Sequence, residues 1–182
     1  MLWFGLLGST AAIAQSYDDD DRPVLQDPFC ILLKKIIKEK PNNYVGLADS
    51  LTADGKPVAN MDGVIPVRDD ATFEQARKCM LMNNGGTMKY RTVFMVRDTR
   101  DALVPSYNNL LSMLKDCLYF DYTFNETSYL NIKEIATLGY KTYENIGKPR
   151  QINKNGIPQA DIYFMIQKNK STGQFELCLE FR

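Results

Sequence analysis

The stretch from residue 160 to residue 182 limits the fold more than any other part of the chain. Ile162, Phe164 and Ile166 alternate with polar or sulfur-bearing neighbours, and Phe175, Leu177, Leu179 and Phe181 alternate in the same way. A period of two places each set on one face of a β-strand. Asn169-Lys170-Ser171-Thr172-Gly173 between them is turn chemistry, with Gly173 free to take a positive φ. A loop over residues 170–173 sets Ile166 against Leu177, Phe164 against Leu179 and Ile162 against Phe181. A slip of one residue would pair the apolar set with Glu176 and Glu180 and bury charge. The pattern therefore predicts a C-terminal β-hairpin with a core-facing inner side. Its other side carries Cys178 between Glu176 and Glu180, with both glutamates expected to be solvated.

The other end of the chain speaks for the compartment. Residues 1–14 are apolar and uncharged, and Ala12-Ile13-Ala14 is a small-x-small cleavage signal followed by Gln15 and Ser16. This resembles the secretory signal peptide of a Gram-negative bacterium, either truncated at its basic n-region or starting upstream of Met1. The run is too short to cross a bilayer, which needs about 20 apolar residues, and no other stretch reads as transmembrane. The expected organisation is a signal peptide over 1–14, an acidic linker over 15–26 and a single domain over 27–182, in a periplasmic or secreted protein. The run Asp18 to Asp21 lacks the alternating spacing of a calcium-binding loop. Export permits disulfides among Cys30, Cys79, Cys117 and Cys178. Four cysteines allow three pairings, and their spacing does not choose; the alternative is four small buried apolar side chains.

Within the domain, Asp27 is an N-cap and Pro28 the first residue of a helix. Phe29, Leu32, Leu33, Ile36 and Ile37 form its apolar stripe, Lys34, Lys35 and Lys38 its solvated face, and Pro41 its end. Residues 44–51 read as a strand, Asp54-Gly55 as a turn and 56–61 as a returning strand, broken by Asp62-Gly63 and Pro66. Asn83-Asn84-Gly85-Gly86 predicts a hairpin of residues 76–82 with 88–97, although Phe73, Ala76 and Met80 also fit helical spacing in 72–82. A second helix is expected over 101–118, capped by Asp98 or Thr99, with Tyr107, Leu110, Leu111, Leu114, Cys117 and Leu118 facing the core. Residues 119–156 are aromatic and polar. Tyr119, Phe120, Tyr122, Phe124 and Tyr129 predict an edge strand or, alternatively, an aromatic platform for a sugar or peptide. Residues 138–145 should pair with the terminal hairpin, while Gly147-Lys148-Pro149 and Asn155-Gly156 read as loops. Asn125-Glu126-Thr127 fits a glycosylation acceptor, relevant only in a eukaryotic secretory pathway.

Composition excludes several chemistries. There is no histidine, which removes Ser-His-Asp and Cys-His catalysis and every histidine-ligated metal site. Lys plus Arg and Asp plus Glu both number 22, an even balance that argues against nucleic-acid binding. The cysteines show no C-x-x-C spacing, Gly85-Gly86 lacks the Lys-Ser/Thr of a phosphate loop, and no cofactor is expected. Ser112-Met113-Leu114-Lys115 matches the S-x-x-K nucleophile motif of penicillin-binding proteins and serine β-lactamases, and Lys170 to Gly173 faintly matches their K-T-G element. Ser112, however, falls in mid-helix, and Lys170 to Gly173 in a turn. Glu176 and Glu180 stand four residues apart on one strand, about 13 Å, too far to share a glycosidic bond.

These elements make an α+β domain: an antiparallel sheet of about five to seven strands, two helices packed on one face, and the C-terminal hairpin. The order is similar to the α-β-β-β-α-β-β layout of type III secretion chaperones. Pro41-Asn42-Asn43 and Lys115-Asp116-Cys117-Leu118 also resemble segments of small exported bacterial proteins of unknown function. Neither resemblance implies catalytic residues. The function expected is that of an exported, non-enzymatic binding domain with a protein or peptide partner. The competing expectation is a small hydrolase using carboxylates or a Ser112/Lys115 pair.

Overall fold

In the computed structural model, residues 27–119, 121–128, 141–150 and 160–182 are described. The leader and linker, residues 138–140, Phe120, Tyr129 and Asn155-Gly156 lie outside them. Helix α1 spans Pro28–Lys38, starting as expected: Asp27 Oδ1 accepts from Phe29 N at 2.9 Å, a cap worth about 1 kcal/mol. Its buried side is Phe29, Leu33 and Ile36. Strands β1 (Val64–Pro66), β2 (Lys78–Asn84) and β3 (Thr87–Arg97) follow, then α2 (Val104–Cys117), and then β4 (Tyr122–Ser128), β5 (Lys141–Pro149), β6 (Ile162–Lys168) and β7 (Phe175–Phe181). Three strands precede α2 and four follow it, where the sequence reading places four before it, at 44–51, 56–61, 76–82 and 88–97.

Among the described residues the strands form one seven-stranded antiparallel sheet, ordered β1-β2-β3-β7-β6-β5-β4. The terminal hairpin sits at its centre. Ile162 pairs with Phe181, Phe164 with Leu179 and Ile166 with Leu177, the register that the alternation dictates. Asn169 and Gln174 close the loop through a 2.7 Å backbone bond, and Gly173 has φ 73°. Both helices contribute to the core on one face, where Leu33, Ile36, Leu111 and Leu114 meet Tyr90, Phe164, Leu179 and Phe181. Tyr107 of α2 stacks on Phe164 at 4.8 Å, and Tyr90 meets Phe181 edge-on at 5.7 Å. Cys30 of α1 is bonded to Cys117 of α2, so one of the three pairings is taken and Cys79 and Cys178 stay free.

Several sequence expectations are corrected. Residues 44–51 are not a strand: Asn43 and Tyr44 take left-handed φ values of 52° and 59°, and Val45–Leu47 is a 3-10 turn. The Asn43 side chain holds this conformation by accepting from Met88 N at 2.8 Å and donating to Gly86 O at 3.3 Å. Residues 56–61 contribute only a single bridge, Leu51 with Pro57. The strand here is β1, and Pro66 ends it on the sheet edge, where a missing N–H costs nothing in the ladder. Neither Asp98 nor Thr99 caps α2; a 3-10 turn, Asp101–Leu103, leads into it and no side chain caps either. Gly147, Lys148 and Pro149 are strand residues of β5, opposite Phe124, Thr123 and Tyr122. The ring of Phe124 lies where a Cβ on Gly147 would stand. Of the ambiguous 72–82 segment, residues 78–82 are strand.

Candidate functional site

The side of the sheet away from the helices is not the solvated surface that the hairpin pattern implies. Glu180 is only 6% exposed and Cys178 is fully buried. Arg91 lies opposite Glu180 in the β3–β7 ladder, and its side chain runs over Cys178 toward Glu176. Nη1 donates to Glu180 Oε1 at 2.6 Å and Nη2 to Glu176 Oε2 at 2.9 Å. The same Nη2 is 3.2 Å from Cys178 Sγ. Gln167 on β6, with its amide oxygen turned to the guanidinium, accepts from Nη2 at 2.6 Å. The second oxygens are also taken. Asn169 Nδ2 donates to Glu176 Oε1 at 2.6 Å, and Arg182 Nη2 to Glu180 Oε2 at 2.7 Å. Arg182 in turn lies over the Tyr163 ring at 3.9 Å.

The electrostatics follow from this geometry. Burial works to raise the Glu180 carboxyl, but the Arg182 hydrogen bonds and the charges of Arg182 and Arg91 outweigh it and hold it below the usual glutamate range. Burial likewise works against the Arg91 charge, and the negative groups around it reverse the balance, so Arg91 is held above its ordinary value. Burial pushes the Cys178 thiol up to about 12, in spite of Arg91 beside it. A thiol of that kind is not a nucleophile at neutral pH. The two glutamates are closer than strand spacing implies, because one guanidinium spans them. Yet Arg91 fills the gap, and Glu180 is held charged. A glycosidase-like pair needs one carboxyl kept protonated, and this arrangement opposes that.

Beside this network an open cleft of about 430 Å³ runs from the start of β2 across β3 to the β6–β7 turn. Met80, Val93 and Val96 form its floor, Arg91 and Glu176 close one end, and Arg77 and Lys78 stand exposed on its rim.

Comparison with protein-family models, curated proteins and solved structures gives no match.

The residues singled out from sequence are scattered. Ser112 and Lys115 are both on the exposed side of α2, away from the outer sheet face. Lys170 to Gly173 is the hairpin turn. Three members of the aromatic group lie among the described residues: Tyr122 is buried and donates its hydroxyl to Ala160 O at 2.9 Å, Phe124 packs over Gly147, and Tyr119 is exposed beside Arg150. Asn125 lies in β4. Cys79 faces the core side, 3.5 Å from the Thr92 hydroxyl, so the two free cysteines occupy opposite faces. Of the α1 lysines, Lys35 pairs with Asp70 at 2.7 Å, while Lys34 and Lys38 are solvated. Among the described residues no group of three or more cysteines and carboxylates is placed to hold a metal ion, and no helix is long and apolar enough to cross a membrane. Arg91, Gln167 and Arg182 were not singled out by the sequence. The usable signal was the phase of β3: Arg91 stands between the core-facing Tyr90 and Thr92, so on β3 it faces the side that β7 fills with Glu176 and Glu180.

Proposed function

We propose that this chain is an exported, non-enzymatic interaction domain that binds a protein or peptide partner. The observation that carries the reading is the state of the polar groups on the outer sheet face. Every oxygen of Glu176 and Glu180 accepts a hydrogen bond, and the Cys178 thiol is buried. The most chemically dense part of the molecule thus fixes geometry and leaves no group free to move a proton. An open cleft adjoins it, with a soft apolar floor and cations at its edge, which is binding-surface chemistry. The Cys30–Cys117 bond is compatible with an oxidising compartment, and the leader-like start points the same way.

Affinity capture from the exported fraction of the native host tests the reading. The folded protein is immobilised beside a reduced and alkylated control. A partner held by the folded protein alone is the expected result. Turnover of any hydrolase substrate that disappears in Ser112→Ala or Glu176→Gln, with folding intact, would overturn it.

A further inference from the structure

The outer-face cleft carries more than a general binding reading, because its charges are not balanced in the way the net charge of the chain is. The glutamates at its closed end are already neutralised, Glu176 by Arg91 and Glu180 by Arg91 and Arg182. Asp98, near the turn wall, is held by Gln174 Nε2 at 2.8 Å. Arg77 and Lys78 differ: among the described residues their side chains make no hydrogen bond or ion pair, and both are exposed. Their backbone is fixed, since Arg77 N donates to Val93 O at 2.9 Å and Lys78 pairs with Val93 in the ladder. Two cations are therefore held on a rigid strand beside an apolar floor of Met80, Val93 and Val96.

Building on the interaction-domain reading, we infer that this cleft binds a short peptide segment in which acidic residues adjoin apolar ones. The carboxylates engage Arg77, whose planar fork suits them, and Lys78, while the apolar side chains rest on the methionine and valine floor, methionine adapting to their shape. The Thr172 hydroxyl and the Gln174 amide oxygen, on the facing wall, meet the peptide backbone. A cleft of about 430 Å³ lies in the size range of ligand sites, about 300–1,000 Å³. Recognition is through side chains rather than an added strand, because β3 and β7 are paired on both sides, and β2 is paired with β1 over Met80–Met82.

The test is panning of a random heptapeptide library on the immobilised full chain, in parallel with the Arg77→Gln/Lys78→Gln variant. Both positions are exposed, so the variant should melt with the wild type; if it does not, each single variant is used. The expected result is enrichment of sequences with glutamate or aspartate next to leucine, valine or phenylalanine. A peptide from that pool should bind the wild type at least tenfold more tightly than the variant, lose a similar factor when its acids become amides, and weaken with added salt. No enrichment, enrichment without an acidic excess, or equal binding by the variant would overturn the proposal, as would preferential binding of a fluorescent single-stranded DNA oligomer. Capture from the exported fraction separates the two readings. A natural partner retained equally by wild type and variant leaves the interaction domain standing and removes the cleft; no partner for either removes both.

Discussion

At the scale of single residues, Phe181 and Glu180 test the two faces of the central strand. Phe181 is fully buried against Tyr90 and Ile162, so Phe181→Ala should cost about 3–5 kcal/mol of a total near 5–15 kcal/mol, read from denaturant melts. The sequence pattern, which leaves Glu180 in solvent, implies a cost below about 0.5 kcal/mol for Glu180→Ala. The buried network implies otherwise. Losing one partner of a buried charge pair costs about 3–5 kcal/mol, so the two substitutions should destabilise comparably. A large loss for Phe181→Ala with none for Glu180→Ala would mean that the outer network does not hold in solution. The pH dependence gives a separate check. The Glu180 carboxyl is held below its unfolded value, so its contribution is fully present above the unfolded pKa, about 4.3, and is lost as pH falls through the folded one. Wild type should therefore lose stability below about pH 4.3 more steeply than Glu180→Gln, as followed by circular dichroism at graded pH. Parallel profiles would contradict the assignment.

At the scale of elements, the chain was legible wherever both partners of a contact are close in sequence. The β6–β7 register follows from alternation and a four-residue loop, and the β2–β3 hairpin from Asn84-Gly85-Gly86, whose glycines take φ 63° and 91°. Helix α1 announces itself by Asp27-Pro28 and its stripe. The failures share a cause: a distant residue overrides local preference. Tyr44 is turned by the grip of Asn43 on the β2–β3 turn, Pro66 is tolerated because its strand is an edge, and Gly147, punctuation by sequence, is a strand position shaped by the ring of Phe124. The charged network was illegible for the same reason, since Arg91 and Glu176 lie 85 positions apart. Gly147 supplies a test at this scale. A Cβ there would meet Phe124 Cε1 at 2.7 Å, so Gly147→Ala should destabilise the β4–β5 pair by about 1–3 kcal/mol, the usual cost of overpacking. Adding Phe124→Leu should return part of that loss. Strict additivity in thermal melts would show that the ring and the glycine are independent.

At the scale of the whole molecule, the last strand in sequence is the middle strand in space, flanked by β3 and β6. The sheet is in two parts until β7 takes its place between β3 and β6, and the helices on its inner face belong to distant parts of the sequence. The Cys30–Cys117 bond joins those two helices across 87 positions, with Cα atoms 5.3 Å apart, an ordinary disulfide span. A loop of that length removes about 4–5 kcal/mol of unfolded-chain entropy in the simplest model, and measured gains are typically about 2–4 kcal/mol. Urea melts with and without reductant should differ by that amount, and Cys30→Ala/Cys117→Ala should match the reduced wild type and ignore reductant. Thiol counting gives the pairing itself. Unfolded without reductant, the chain should expose the two thiols of Cys79 and Cys178, and Cys178 should resist alkylation while the protein is folded, since it is both buried and held protonated with a pKa near 12. Four titratable thiols under those conditions, or melts indifferent to reductant, would mean that the helices are held by packing alone.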